Sequence, residues 1–436
     1  MGQTVTTGRR GTSAAYREVI GLTGPLLPVM SFLARLPTAT IQFGSVLLVA
    51  RTSGSLAAAG LTGGALAVGQ VACGPLVGRL ADRHGQRTVV LVFSLANAVA
   101  IAGLVAAALA GLPTALLAVV GAAAGATVPQ IGPMARARLV ALARRAGARD
   151  STVGAALSFE STLDEVSFVL GPALVGLAAV TAHPGFALGG AAALVAVCGS
   201  GFGLHRTAVA TRPAPAGASA ERRPGSVRTR AGRRNDAGAD GPVPPLPIPR
   251  SIHALRAALA LQGAMFGACQ AGITALTERL GQPDQAGLVY AAMGVMSAVA
   301  GLSMAAVPAR LGLAVRWRVA TAAAFLLSLP LLWTQGLPAL YVTVTVLGVA
   351  YAPHLITVFG LTERVVPPAR LAEAMAFATS ALVGGQALAL AVTGRLAESY
   401  GPATAFGAAS LAAALACAIA LTARPASYSG RTATSP

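Results

Sequence analysis

The chain has 436 residues, 55% of them apolar and only 11% charged, with 32 basic and 14 acidic side chains and a formal net charge of +18. A soluble domain carries roughly 25% charged residues, so this composition excludes a water-facing surface over such a length and points to the bilayer as solvent. The basic excess does not mark a nucleic-acid binder, because every basic residue is Arg and the arginines gather between apolar runs without forming a basic face interleaved with aromatics.

In chain order, residues 1–25 are mostly polar, with Arg9, Arg10, Arg17 and Glu18. They lack the pattern of a cleavable signal and read as a cytoplasmic tail, the first span serving as its own insertion signal. A span needs about 20 apolar residues. Runs of that kind start near Leu26, Leu56, Thr88, Pro113, Val153, Pro184, Ala254, Ala286, Val319, Leu337, Leu371 and Ala403. The predicted architecture is therefore all-α: twelve transmembrane helices in two pseudo-symmetric six-helix bundles, over residues 26–203 and 252–423, with a tail at 424–436. Between the bundles, residues 204–251 hold eight prolines and nine arginines. Such a segment buries too little to fold and reads as a disordered cytoplasmic linker. A regulatory or lipid-headgroup role for its arginines stays open. The four cysteines all fall inside apolar runs without metal-ligand spacing, and read as small apolar filler.

Arginine placement sets orientation. With the N-terminus inside, the inside segments carry 28 arginines and the outside loops only Arg51, Arg279 and Arg395, with Arg35 inside the first span. This positive-inside asymmetry puts both termini in the cytoplasm. The halves also match each other in order. At a shift of 227, Gly60, Gly74, Arg83 and Gly85 meet Gly287, Gly301, Arg310 and Gly312; near 224, Pro129-Gln130 meets Pro353-His354. An ordered series of this kind is the mark of a parallel duplication.

The stretch after the second span reads Gly78-Arg79-Leu80-Ala81-Asp82-Arg83-His84-Gly85-Gln86-Arg87. It resembles the loop 2–3 signature of the major facilitator superfamily, through Gly78, Asp82, Arg83, Gly85 and Arg87. The Ala, Gly and Arg bias without Lys suits a GC-rich bacterial genome of the actinobacterial type. The resemblance implies the two-bundle fold, and a latch in which Asp82 meets the start of the eleventh span near Leu371 and Arg136 or Arg138. Ala309, matched to Asp82 by the shift of 227, implies a degraded second latch. In the fifth span, Gly171, Pro172 and Gly176 resemble the antiporter element of drug–proton exchangers in the superfamily, without its earlier glycine, since Leu163 stands eight positions before Gly171. That element tilts the reading toward efflux; a helix kink with small-residue packing is the plainer account.

The fifth span also carries Glu160, Asp164 and Glu165. Glu160 and Asp164 lie one turn apart on one face, and Glu165 points about 100° away. Carboxylates at this depth must be paired or protonated, which makes them proton-coupling candidates. Arg35 lies at similar depth in the first span, a neighbour of the fifth in this fold, and is expected to neutralise one acid and leave another to titrate. A static polar cluster is the alternative. Spans 1, 4, 7 and 10 line the cavity of this fold, so Gln42, Gln130, Gln262, Gln270, Tyr351 and His354 are the candidate substrate contacts. His354 adds an imidazole, Pro129 and Pro353 are candidate bending points, and few aromatics are expected on the wall.

The resemblance and the deep charges together imply a secondary active transporter in the plasma membrane, working by alternating access as a monomer. Its partners are a small-molecule substrate and the lipid bilayer, with no nucleic acid, no metal and no cofactor, the proton gradient supplying energy. Export of a drug-like compound or metabolite is the leading reading. Uptake of a sugar, organic acid or amino acid is the alternative, and a transporter-derived sensor or lipid flippase the alternative of another class. No catalytic triad, metal spacing or phosphate loop marks an enzyme.

Overall fold

A computed structural model describes residues 17–211 and 251–423, apart from 283, 284 and 309. Among these residues, twelve helices are long and apolar enough to cross a membrane: α1 Leu26–Ser53, α2 Ala58–His84, α3 Gln86–Leu109, α4 Thr114–Arg145, α5 Thr152–Ala179, α6 Pro184–Leu204, α7 Ser251–Arg279, α8 Gln285–Ala306, α9 Leu313–Trp333, α10 Leu337–Val365, α11 Pro368–Tyr400 and α12 Pro402–Thr422. They form two bundles of six with matching contacts. The α1–α5, α1–α6 and α2–α4 packings of the first recur as α7–α11, α7–α12 and α8–α10 in the second.

The duplicated glycines explain how the bundles meet. A Cβ on Gly74 of α2 would lie 2.5 Å from Ser380 Oγ on α11 and 3.1 Å from Gln130 Nε2 on α4. Its counterpart Gly301 on α8 would place one 3.1 Å from both Thr162 Oγ1 on α5 and Ala352 Cβ on α10. Each glycine thus admits two neighbours at once, one from its own bundle and one from the other, where close approach replaces the missing hydrophobic drive inside lipid. Gly85 and Gly312 fill a second matched role, as the residues capping the N-termini of α3 and α9.

The matched prolines behave differently. Helix α4 is broken over residues 127–130, where Gln130 adopts φ 52°, the left-handed region. Pro129 disfavours the helical conformation at Val128, and the chain restarts as a helix at Ile131. Helix α10 runs unbroken through Pro353, although that proline has no N–H to give to the helix ladder.

Two of the arginines expected in the inside loop after the fourth span are interior. Arg136 and Arg138 are 1% and 0% exposed, within α4. The restart at Ile131 carries the helix on to Arg145, so a stretch read as loop is a buried half-helix. Arg138 donates to Gln86 Oε1 at 2.9 Å and to the Phe202 carbonyl at 2.8 Å, and stacks on the Phe202 ring. It ties α4 to α3 and α6.

Order also extends beyond both expected ends of the first bundle. Residues 17–23 of the expected tail are helical, with Val19 packed against Leu139, Ala155 and Ala156 and Glu18 accepting from Thr152 at 2.9 Å. Arg206–Thr211 forms a 3-10 helix with Thr207, Ala208 and Ala210 buried. The rest of the expected linker, 212–250, lies outside the described residues.

Arg138→Met leaves Gln86 Oε1 and the Phe202 carbonyl without their donor inside the bundle. It is expected to destabilise the protein by about 2–4 kcal/mol, read as a lowered unfolding midpoint of the purified protein in detergent, with Arg138→Lys intermediate.

Candidate functional site

Helix α5 presents Glu160 and Asp164 one turn apart toward α1, and Arg35 on α1 engages both. Its Nη1 donates to Asp164 Oδ1 at 2.7 Å and to the Glu160 carbonyl at 2.9 Å, while Nη2 donates to Glu160 Oε2 and to Ser31 Oγ at 2.7 Å. Nε is taken by the Ser31 carbonyl at 3.2 Å. The α4 restart supplies a second guanidinium: Arg136 Nη2 donates to Asp164 Oδ2, and its Cζ lies 3.9 Å from the centroid of the Phe359 ring on α10. Two cations and two anions therefore balance. Arg35 does not leave an acid unpaired as the sequence reading expects, because its planar fork serves both carboxylates and Arg136 adds a charge assigned to a loop. Asp164 is the most accessible member, its side chain 20% exposed against 4% for Arg35 and 1% for Arg136. The side chain of Glu165 lies outside the described residues.

The antiporter-like element sits beside this cluster. A Cβ on Gly171 would lie 2.7 Å from Ala39 Cβ and 2.9 Å from the Thr40 nitrogen, so this glycine lets α1 close onto α5. Gly176 has open space around it, and the side chain of Pro172 is outside the described residues.

Arg35, Arg136 and Asp164 form one wall of a cavity near the middle of the helices, with about 980 Å³ of space including its open part. Of the expected substrate contacts, Gln130, Gln262 and Tyr351 line it. Three others stand outside its lining. Gln42 instead donates to Gln70, itself a lining residue, at 2.8 Å. Gln270 is half-buried on α7. His354 is buried, its Nε2 without a hydrogen-bond partner among the described residues. The wall is more aromatic than the sequence reading expects, with Phe168, Phe266, Tyr351 and Phe359 facing the space and Phe266 edge-on to Tyr351 at 5.4 Å. Helix α11 contributes Thr379 and Gln386. Among the described residues, no group of three or more His, Cys, Asp or Glu could hold a metal ion.

At the end of the molecule where α2 meets α3, the bundles are tied shut. Asp82 accepts from the backbone N–H groups of Ala372 at 3.2 Å and Glu373 at 2.7 Å, capping the first turn of α11. A Cβ on Gly78 would lie 2.8 Å from the Ala372 carbonyl oxygen and from Ala376 Cβ. Arg79 and Arg370 both grip Glu373, at 2.7–3.0 Å. Arg144 at the end of α4 pairs with Glu363 at the end of α10.

The Major Facilitator Superfamily model matches residues 27–335 and 257–436. The chain belongs to this superfamily. Among solved structures, the chain resembles the human organic anion transporter MFSD10 at 19% identity (TM-score 0.64, covering 95% of this chain and 99% of that one). It also resembles a bacterial homologue of the iron transporter ferroportin at 16% (0.68; 91% and 98%) and FucP at 14% (0.60; 93% and 100%). These likenesses show the fold. No curated protein matches the sequence. Family and spans together make the chain a multi-pass membrane transporter and not an enzyme.

In this superfamily member the motif residues divide. Gly78 and Asp82 make the contact with α11, Gly85 caps α3 with φ 84°, and Arg83 and Arg87 are exposed. Neither Arg136 nor Arg138 reaches Asp82, since both are held deeper by Asp164, Gln86 and Phe202. Ala309, matched to Asp82 in the second half, lies outside the described residues. Sequence reasoning missed Glu373 and Arg79, although Arg79 stands inside the motif and Glu373 is the one acid in the first turn of α11.

Asp82→Ala removes the cap of α11, worth about 1 kcal/mol. It is expected to raise the population parted at this end about fivefold. Spin labels at the exposed positions Arg83 and Ala369, in a background without native cysteines, would show this as a gain in the longer-distance fraction.

Proposed function

We propose that the chain moves a small organic molecule across the plasma membrane by alternating access, coupled to protons through Asp164 and Glu160 with Arg35 as their counter-charge. The observation that carries this is a balanced four-charge cluster on the cavity wall with one acid, Asp164, accessible from the cavity. A static cluster would gain nothing by leaving one carboxylate within reach of water. Protonation of Asp164 weakens its bonds to Arg35 on α1 and Arg136 on α4, and so loosens three helices of one bundle at the depth where substrate binds.

Arginine placement supports a cytoplasmic side for both termini and for the closed end at Asp82. The contacts of Asp82, Gly78 and Arg144 then hold the cavity shut from that side, and a monomer suffices for the cycle. Export is favoured by the Gly171-Pro172 element and by the confinement of the deep acids to the first bundle. Uptake of an organic acid is the second reading, favoured by the two guanidinium groups at the cavity wall.

In proteoliposomes, an imposed pH gradient is expected to accelerate wild-type transport. Asp164→Asn and Glu160→Gln are expected to cut the gradient-driven rate about tenfold or more while Asp164→Asn keeps substrate counterflow. Wild-type gradient response in both variants would remove these acids from coupling.

A further inference from the structure

The break in α4 leaves more at the cavity wall than a charged cluster. Helix α4 restarts at Ile131 and runs 15 residues to Arg145. The first N–H groups of such a turn have no partner within the helix, and Gln130 makes no side-chain cap. Ile131 and Gly132 line the cavity, so the positive end of the half-helix, equivalent to about half an elementary charge, abuts the ligand space. Arg136 stands one turn on. It too lines the cavity, is 1% exposed, and has Nε and Nη1 without a hydrogen-bond partner among the described residues. A Cβ on Gly132 would lie 3.1 and 3.4 Å from the two Asp164 oxygens and 3.6 Å from Arg136 Nη1, so the bare glycine lets the carboxylate and the guanidinium come up to the half-helix terminus.

We propose that this corner is an oxyanion subsite, and that the transported molecule is a monocarboxylate with an aromatic or apolar body. The inference rests on the transporter reading above and names the substrate class of the same cavity. Donors are what remain to be satisfied there. Asp164 is the one acid in the cavity lining among the described residues, and each of its oxygens already accepts from an arginine, Arg35 or Arg136, so a cationic ligand would have to compete with two guanidiniums for it. Buried charge limits the ligand to one negative unit. With both acids ionised the cluster is neutral, a monoanion is offset in part by the helix terminus or in full by protonation of Asp164, and a dianion would leave a surplus that a low-dielectric site does not tolerate. The opposite wall suits the body of such a molecule through Phe266 and Tyr351, with Gln262 Oε1 and Thr379 Oγ1 also unpartnered among the described residues.

The test is binding to the purified full-length protein in detergent, by calorimetry and thermal shift, with 2-naphthoate, the neutral 2-naphthamide, the cationic 2-naphthylmethylamine and the dianionic 2-naphthyl phosphate as probes. Naphthoate is expected to bind about tenfold or more tighter than the other three. Arg136→Gln is expected to abolish that preference. Because loss of this arginine leaves Asp164 with one partner and can impair folding, Gly132→Ala is the companion variant: it keeps every charge and fills the corner. It is expected to weaken naphthoate about tenfold while naphthamide is unchanged. The proposal is overturned if none of the probes binds, if amide, amine or phosphate matches naphthoate, or if the preference survives in Gly132→Ala. Counterflow of the same probes in proteoliposomes separates the two claims. Selective naphthoate binding without any counterflow keeps the subsite and sinks the transporter reading. Counterflow confined to the neutral amide does the reverse.

Discussion

A single unpaired charge at the middle of a bilayer costs at least about 3 kcal/mol, and removing one partner from a buried ion pair costs about 3–5 kcal/mol. Arg35, Arg136, Glu160 and Asp164 escape that cost only together. Each oxygen of Asp164 meets a different arginine, and Arg35 also spans back to Glu160 and Ser31. The requirement propagates outward. Helices α1 and α5 must approach closely enough for Arg35 to reach both acids, which the bare surface of Gly171 permits. Helix α4 must restart before Arg136, which the turn at Gln130 achieves. Placement of these three helices, and the wall they give the cavity, follows from charge balance as much as from packing.

The sequence was most legible where a rule is collective. Twelve spans, their grouping and the ordered glycine matches rest on many residues at once, and the fold agrees with them. The motif was legible at Asp82 through its resemblance to the superfamily's loop signature, and the start of α11 lies against that carboxylate. Legibility failed where one residue departs from the average. Arginines at the end of an apolar run are usually interfacial, so Arg136 and Arg138 read as loop, although Met134, Leu139 and Val140 continue the apolar pattern around them. Phe168, Phe266 and Phe359 were invisible as a wall because spans read singly do not reveal which faces converge.

The two bundles contribute unequally to the cavity. From the first come the guanidiniums, the accessible acid and the half-helix terminus. From the second come most of the aromatic rings, while amides and hydroxyls come from both. The matched pair Pro129 and Pro353 shows how that difference arises within a duplicated frame. Helix α10 stays helical through the proline, whereas α4 loses four residues of helix and starts again at Ile131 and Gly132, which line the ligand space. Divergence has gone into local backbone chemistry while the packing skeleton stayed constant.

That skeleton carries a record of its origin. Gly74 admits α11 to α2, and Gly301 admits α5 to α8, so these two crossings between the bundles are copies of one crossing seen from either side. An interface in which patch i meets patch j and j meets i is what a two-fold axis generates. A six-helix ancestor carrying one such glycine would have made both crossings at once by pairing with a second copy of itself. The seam that divides the protein is therefore pseudo-symmetric, and a change to the glycine on one side has a counterpart on the other.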